Sequence, residues 1–202
     1  HCGLVGSEMC IRDRSKSNNK LSKQETIHRA LQLHSRGKIK EAAIYYQYFI
    51  NQGFQDGNVF SNYGAILRSL KKFKEAEKLL RKAIEIAPNF AMAYSNLGNT
   101  LYDLGKLKEA EKFLRKAIDI DPYYVIAYSN LSNILKDLGK LKEAEKILIK
   151  AIEIKPGDKI IEANLINLLT FLKPENVKLN KLFIINEEFK IINISTRKGK
   201  NI

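Results

Sequence analysis

Between residues 91 and 158 the apolar positions follow a helical rhythm that is written twice. Tyr94, Leu97, Leu101 and Leu104 recur at helical spacing, Gly105 interrupts them, and Ala110, Phe113, Leu114, Ala117 and Ile118 resume the rhythm until Pro122. The pattern then restarts. Ala91–Tyr124 and Val125–Asp158 align without a gap and are identical at 23 of 34 positions. Each 34-residue unit therefore predicts two amphipathic helices joined by a tight turn. One such hairpin cannot bury its own apolar face, so repetition at this period predicts stacked hairpins that share a core.

The register extends towards the amino terminus. Gly57–Phe90 supplies Phe60, Tyr63, Gly64, Leu67, Phe73, Ala76, Leu80, Ala83 and Pro88 at the matching positions. It carries Lys71 where the later units have Gly105 and Gly139, which predicts a slightly different turn. Lys23–Asp56 fits more weakly through Ala30, Leu33, Gly37, Ile39, Ala42 and Tyr46, with Thr26 at the aromatic position and Phe54 in place of proline. Terminal repeats diverge because one side has no neighbour to pack on. Hairpin turns are expected near Gly37, Lys71, Gly105 and Gly139. Beyond Pro156, residues 159–172 predict one more helix, either half a repeat or a cap over the last edge.

These residues carry a resemblance. Tyr94, Leu97, Gly98, Leu101, Ala110, Leu114, Ala117 and Pro122 stand at positions 4, 7, 8, 11, 20, 24, 27 and 32 of the unit, and this set resembles the tetratricopeptide repeat. Small residues at positions 8 and 20 let two helices approach closely, and proline near the end sits where a missing N–H costs little. The resemblance implies an all-α fold, a right-handed superhelical solenoid. The expected organisation is residues 1–22 as a disordered or artefactual N-terminal segment, 23–172 as the solenoid (repeats 23–56, 57–90, 91–124 and 125–158, with 159–172 as the partial or capping helix), and 173–202 as an irregular tail or the start of a further, truncated domain.

The two ends differ in character. His1–Arg14 has no basic region followed by an apolar core and is not read as a signal peptide. It resembles a translated sequencing-adapter segment. Cys2 and Cys10 lie outside the repeats, and with His1 they match no tight metal-binding spacing. In the tail, Phe183–Ile185 and Phe189–Ile194 are apolar clusters that suit two short strands or one irregular helix. A piece of a longer protein is the expectation.

Charge changes the picture less than its total suggests. The chain is +13, but residues 23–172 hold 24 basic and 17 acidic residues and contribute only +7. Most of these charges fall on the second helix of each unit, with Glu and Lys three or four apart, as on a solvated face. No recognition-helix motif and no aromatic platform among basic residues supports a specific nucleic-acid partner. No apolar run reaches the roughly 18–20 residues that span a membrane. A cytoplasmic location is expected, because the repeats contain no cysteine and need no oxidising compartment.

Chemistry is sparse. No glycine-rich phosphate loop occurs, and His28 and His34 have no cysteine or carboxylate constellation beside them. No cofactor, metal or catalytic residue is expected. Tyr94 and Tyr128 are read as core.

The first helices are more informative. In the tetratricopeptide fold they line a concave groove through positions 2, 5, 6, 9, 12 and 13. Here position 6 is Asn62, Asn96, Asn130 and Asn164, position 9 is Asn99, Asn133 and Asn167, position 5 is Ser61, Ser95 and Ser129, and position 13 adds Asp103 and Asp137. A carboxamide offers a donor and an acceptor, which matches an extended peptide backbone. The bland alternative is that these groups are solvated or tied to their neighbours. The pattern is similar to the asparagine ladder in the repeat arm of the eukaryotic O-linked N-acetylglucosamine transferases, and to repeat arms of bacteria, including marine cyanobacteria, that precede glycosyltransferase or sulfotransferase domains. The basic clamp that another branch uses for a terminal carboxylate is missing: positions 2, 5 and 6 are Met92, Ser95 and Asn96, then Ile126, Ser129 and Asn130. The expected function is a non-catalytic scaffold that binds a protein or an extended peptide in its groove. The alternative is the substrate-recruiting arm of a larger glycosyltransferase or sulfotransferase.

Overall fold

The computed structural model describes residues 20–171 and two strands, Leu182–Ile185 and Ile191–Ile194. The described helices are α1 (Lys23–Ser35), α2 (Ile39–Asn51), α3 (Gly57–Ser69), α4 (Phe73–Ile86), α5 (Ala91–Asp103), α6 (Leu107–Ile120), α7 (Val125–Asp137), α8 (Leu141–Ile154) and α9 (Lys159–Phe171). This is an all-α array of helix–turn–helix units. Leu182–Ile185 (β1) and Ile191–Ile194 (β2) pair antiparallel, with Leu182 opposite Ile194 and Ile185 opposite Ile191, so of the two tail readings the strands hold. His1, Cys2, Cys10 and the basic stretch Arg197–Lys200 lie outside the described residues. The chain divides into two compact units, His1–Leu104 and Gly105–Ile202.

The four expected turns share one backbone device. Gly37, Gly105 and Gly139 have φ of 72°, 74° and 74°, and Lys71 has φ of 60°. After α3 the Lys72 N–H donates to the Leu67 carbonyl and the Lys71 N–H to the Arg68 carbonyl, both at 2.9 Å. After α7 the same two bonds run from Lys140 to Leu135 and from Gly139 to Lys136. These close the carbonyls left open at a helix end. Lys71 thus makes the same turn as the glycines, contrary to the expected variation. A side chain in this conformation costs roughly 1–2 kcal/mol, and the hairpin packing on either side holds it there.

In the amino-terminal unit, α1 starts on a capping box in which Ser22 and Glu25 satisfy each other's backbone N–H. Asp56 caps α3 by accepting from the N–H groups of Asn58 and Val59. Ala42, Ala76, Leu80 and Ala83 are fully buried. A Cβ on Gly64 would lie 2.6 Å from Cγ of Leu80, so glycine is what lets α3 and α4 meet. Where the first repeat lacks proline, Phe54 packs its ring on Phe49 at 5.3 Å.

In the carboxy-terminal unit, Tyr128 is fully buried and its hydroxyl donates to the Pro122 carbonyl at 2.9 Å. Tyr94, at the same repeat position in the other unit and also read as core, is partly buried. Asp158 caps α9 through the N–H groups of Ile160 and Ile161. These bonds and one from Lys155 hold its carboxyl below the usual aspartate value, the Lys155 bond contributing most.

Candidate functional site

The polar residues expected in the groove lie on first helices of the hairpins: α3 and α5 in one unit, α7 and α9 in the other. Their side chains fall into two rows with different bonding.

The position-6 row is tied back to the preceding repeat. The Asn96 amide donates to the Ser61 hydroxyl at 3.1 Å, and the Asn164 amide donates to the Ser129 hydroxyl at 2.7 Å. Each pair is 35 residues apart, which is one repeat plus one residue. Ser61 is fully buried and Ser95 is 1% exposed, whereas Ser129 is partly buried. Asn62 lacks such a serine, because position 5 of the first repeat is Ile27. It bonds instead to the Tyr46 hydroxyl. Burial pushes that phenol up, and the Asn62 bond offsets part of the effect. His34 Nδ1 lies 3.2 Å from the same hydroxyl, and the Tyr46 ring stacks on Tyr63 at 6.1 Å. Asn130 on α7 is partly buried.

Position 9 is mixed, since Asn167 on α9 has an interaction partner. Asn99 on α5 and Asn133 on α7 are partly buried, and among the described residues neither has a hydrogen-bond partner. Asn133, Asn164, Asn167 and Lys136 line a recess of about 50 Å³ between α7 and α9. A position-6 asparagine that gives one N–H to serine still keeps its second N–H and its carbonyl. Within each unit, position 6 and position 9 therefore combine donors and acceptors, Asn96 with Asn99 in one and Asn164 with Asn133 in the other.

Asp103 forms an ion pair with Arg68 of the preceding repeat. Its charge is already compensated, so it contributes less to selection of basic ligands than its type suggests. Asp137 is exposed.

The amino-terminal unit also holds a feature that sequence reading missed. A cleft of about 430 Å³ lies between α2 and α4 and is floored by α3, with Ile50, Phe60, Tyr63, Leu67 and Leu79 among its walls. Among the described residues no group of three or more His, Cys, Asp or Glu is placed to hold a metal ion, and no helix is long and apolar enough to cross a membrane.

A family model described as tetratricopeptide repeat matches residues 55–122 and 89–157, together more than half of the 202 residues. No curated protein sequence matches the chain. Among solved structures it is similar to a thermophilic TPR protein of Thermus thermophilus, with 18% identity, a TM-score of 0.66, and coverage of 75% of this chain and 84% of that one. It is also similar to YrrB, described as a TPR protein with an unusual peptide-binding site, at 22% identity and a TM-score of 0.64, covering 79% and 80%. The first TPR of Spaghetti, bound to the HSP90 peptide SRMEEVD, matches at 23% identity and a TM-score of 0.54, covering 57% and 92%. At these identities the likeness concerns the fold.

Proposed function

This chain belongs to the tetratricopeptide repeat family, and on that premise we propose that it is a non-catalytic scaffold whose first helices bind an extended peptide through its backbone. Members of this fold generally serve as protein- and peptide-binding scaffolds, and YrrB and the Spaghetti domain are described with peptide sites. The observation that carries the reading here is repeated in each unit by itself: a carboxamide with no partner among the described residues beside a half-used one, Asn99 with Asn96 in the first unit and Asn133 with Asn164 in the second. A solvated surface has no need of one residue type at one repeat position. A backbone ligand does, because every residue of the ligand presents the same N–H and C=O.

The ligand of the Spaghetti domain ends in acidic residues. This chain has no basic residues at positions 2, 5 and 6 of its two central repeats, so an acidic terminus is not its match. The likeness of residues 91–158 to glycosyltransferase repeat arms supports a second reading, in which the same groove presents substrates to a catalytic part encoded beside this sequence. The neighbouring coding sequence tests that reading.

The binding test is a peptide-library selection on the whole chain, followed by titration of one hit. Changing Asn99 and Asn133 together to Ala should weaken binding roughly five-fold to 150-fold, from two bonds of about 0.5–1.5 kcal/mol each. Changing Asn62, Asn96 and Asn130 together should weaken it roughly ten-fold to a few thousand-fold. The second variant also loses the Ser61 tie, so its helicity must be checked. Equal affinities of the wild type and the folded Asn99/Asn133 variant would sink the reading.

A further inference from the structure

The carboxy-terminal unit carries an apolar shoulder beside its carboxamides. Ile126 and Ile160 are 58% and 68% exposed, among the most exposed large apolar residues described. Both stand at position 2, on α7 and α9. From each, the asparagines follow at four and seven residues: Ile126, Asn130, Asn133 and Ile160, Asn164, Asn167. That spacing places all three on one face of the helix. The bond from Asn164 to Ser129 holds α9 against α7, so the two triplets sit in register. The amino-terminal unit lacks this shoulder at the start of α3, where position 2 is Asn58.

We propose that this surface selects extended peptides with apolar side chains three residues apart. The inference rests on the peptide-binding reading above and adds the class of ligand. Packed helices lie roughly 8–10 Å apart, so Ile126 and Ile160 repeat at about that interval. A polyproline-II segment rises about 3.1 Å per residue with three residues per turn. Its side chains i and i+3 point the same way about 9 Å apart and match the interval. A β-strand places same-side residues about 7 Å or 13 Å apart and misses it. Charge complementarity points the same way. Lys136 and Asp137 put one charge of each sign at the far end of the α7 face, so a neutral ligand is favoured over an acidic or basic one. The ligand's backbone meets the asparagine rows while its apolar side chains cover the isoleucines.

The experiment screens random twelve-residue peptides against the full chain and then titrates one hit, and its alanine-substituted version, against three proteins. These are the wild type, Ile126→Ser with Ile160→Ser, and Asn99→Ala with Asn133→Ala, each checked for helicity by circular dichroism. We expect hits enriched in aliphatic or aromatic residues at i and i+3. The isoleucine variant should bind them about ten-fold or more weakly, from the loss of apolar burial, and should bind the alanine-substituted peptide as the wild type does. Hits that depend on Asn99 and Asn133 but show no i, i+3 period, or that ignore the isoleucine change, would overturn this inference and leave the scaffold reading standing. An absence of hits, or hits indifferent to the asparagine pair, would overturn both.

Discussion

Two seams between neighbouring second helices, one in each unit, occupy the same place in the repeat and are closed in opposite ways. Between α6 and α8, Arg115 bonds Glu111 on its own helix at 2.8 Å and Glu143 across the seam at 2.7 Å, while Lys140 reaches back to both oxygens of Glu111 at 2.8 and 2.9 Å. Between α2 and α4, Ala43 and Gln47 stand where Glu111 and Arg115 stand in the later repeat. The Gln47 carbonyl accepts from the Tyr63 hydroxyl and its amide donates to Asn51, so it does not reach Glu75. Glu75 pairs instead with Lys72 on its own helix at 3.4 Å, and the apolar cleft opens in the seam. Two side chains therefore decide whether a seam is bridged by charge or left to packing. The backbone hairpins are the same in either case.

If the first seam rests on packing alone, the largest effect there should come from its floor. Gly64→Ala places a methyl 2.6 Å from Cγ of the fully buried Leu80 and should cost about 1–3 kcal/mol in urea unfolding. Making the same change in a Leu80→Ala background should recover most of that cost, and simple additivity would show that the two residues do not meet.

At the bridged seam, Glu111→Ala removes a carboxylate whose side chain is only 12% exposed, taking the acceptor from Lys140 while Arg115 keeps Glu143. The expected loss is roughly 1–2 kcal/mol, towards the lower end for charged hydrogen bonds because Arg115 and Lys140 are partly solvated. Burial works to raise the Glu111 carboxyl, but the bonds from Lys140 and Arg115 outweigh it and hold the group below the ordinary glutamate value. A depressed carboxyl contributes stability that is complete above its ordinary pKa and disappears as pH falls through the lower folded value. Acidification from pH 5 towards 3 should therefore destabilise the wild type more than Glu111→Gln, and parallel pH profiles would remove the bridge from the account.

Lys71→Gly should stabilise by about 0.5–1 kcal/mol, the left-handed penalty less the extra entropy of glycine. Gly139→Lys should lose a similar amount, and thermal unfolding reads both. The smallest effect is the sharpest test of the comparison. Ala43→Glu with Gln47→Arg rebuilds the bridge in the first seam and should gain no more than about 1 kcal/mol, as expected for exposed pairs. That gain should vanish at high salt, and a double-mutant cycle without coupling would mean that the two seams differ in more than these residues.

The period of 34, the small residues at positions 8 and 20 and the glycine turns were enough to read the all-α hairpins, because helix periodicity and turn chemistry are local properties. Gly64 facing Leu80 is the contact such a pattern implies. The asparagine rows were legible as rows but not as bonds. The sequence alone treats Asn96 and Asn99 alike. Stacking makes position 6 of one repeat the neighbour of position 5 of the one before, so Asn96 finds the Ser61 hydroxyl while Asn99 finds no partner among the described residues. The cleft between α2 and α4 was invisible for the same reason, since Ala43 and Gln47 are ordinary helix residues until a second helix is laid beside them. What the sequence by itself determined is where the helices run and turn, because each depends on residues within one hairpin. Which polar groups are spent on a neighbour and which have no partner among the described residues was decided only by tertiary structure, because that depends on side chains a full repeat apart meeting across a helix contact.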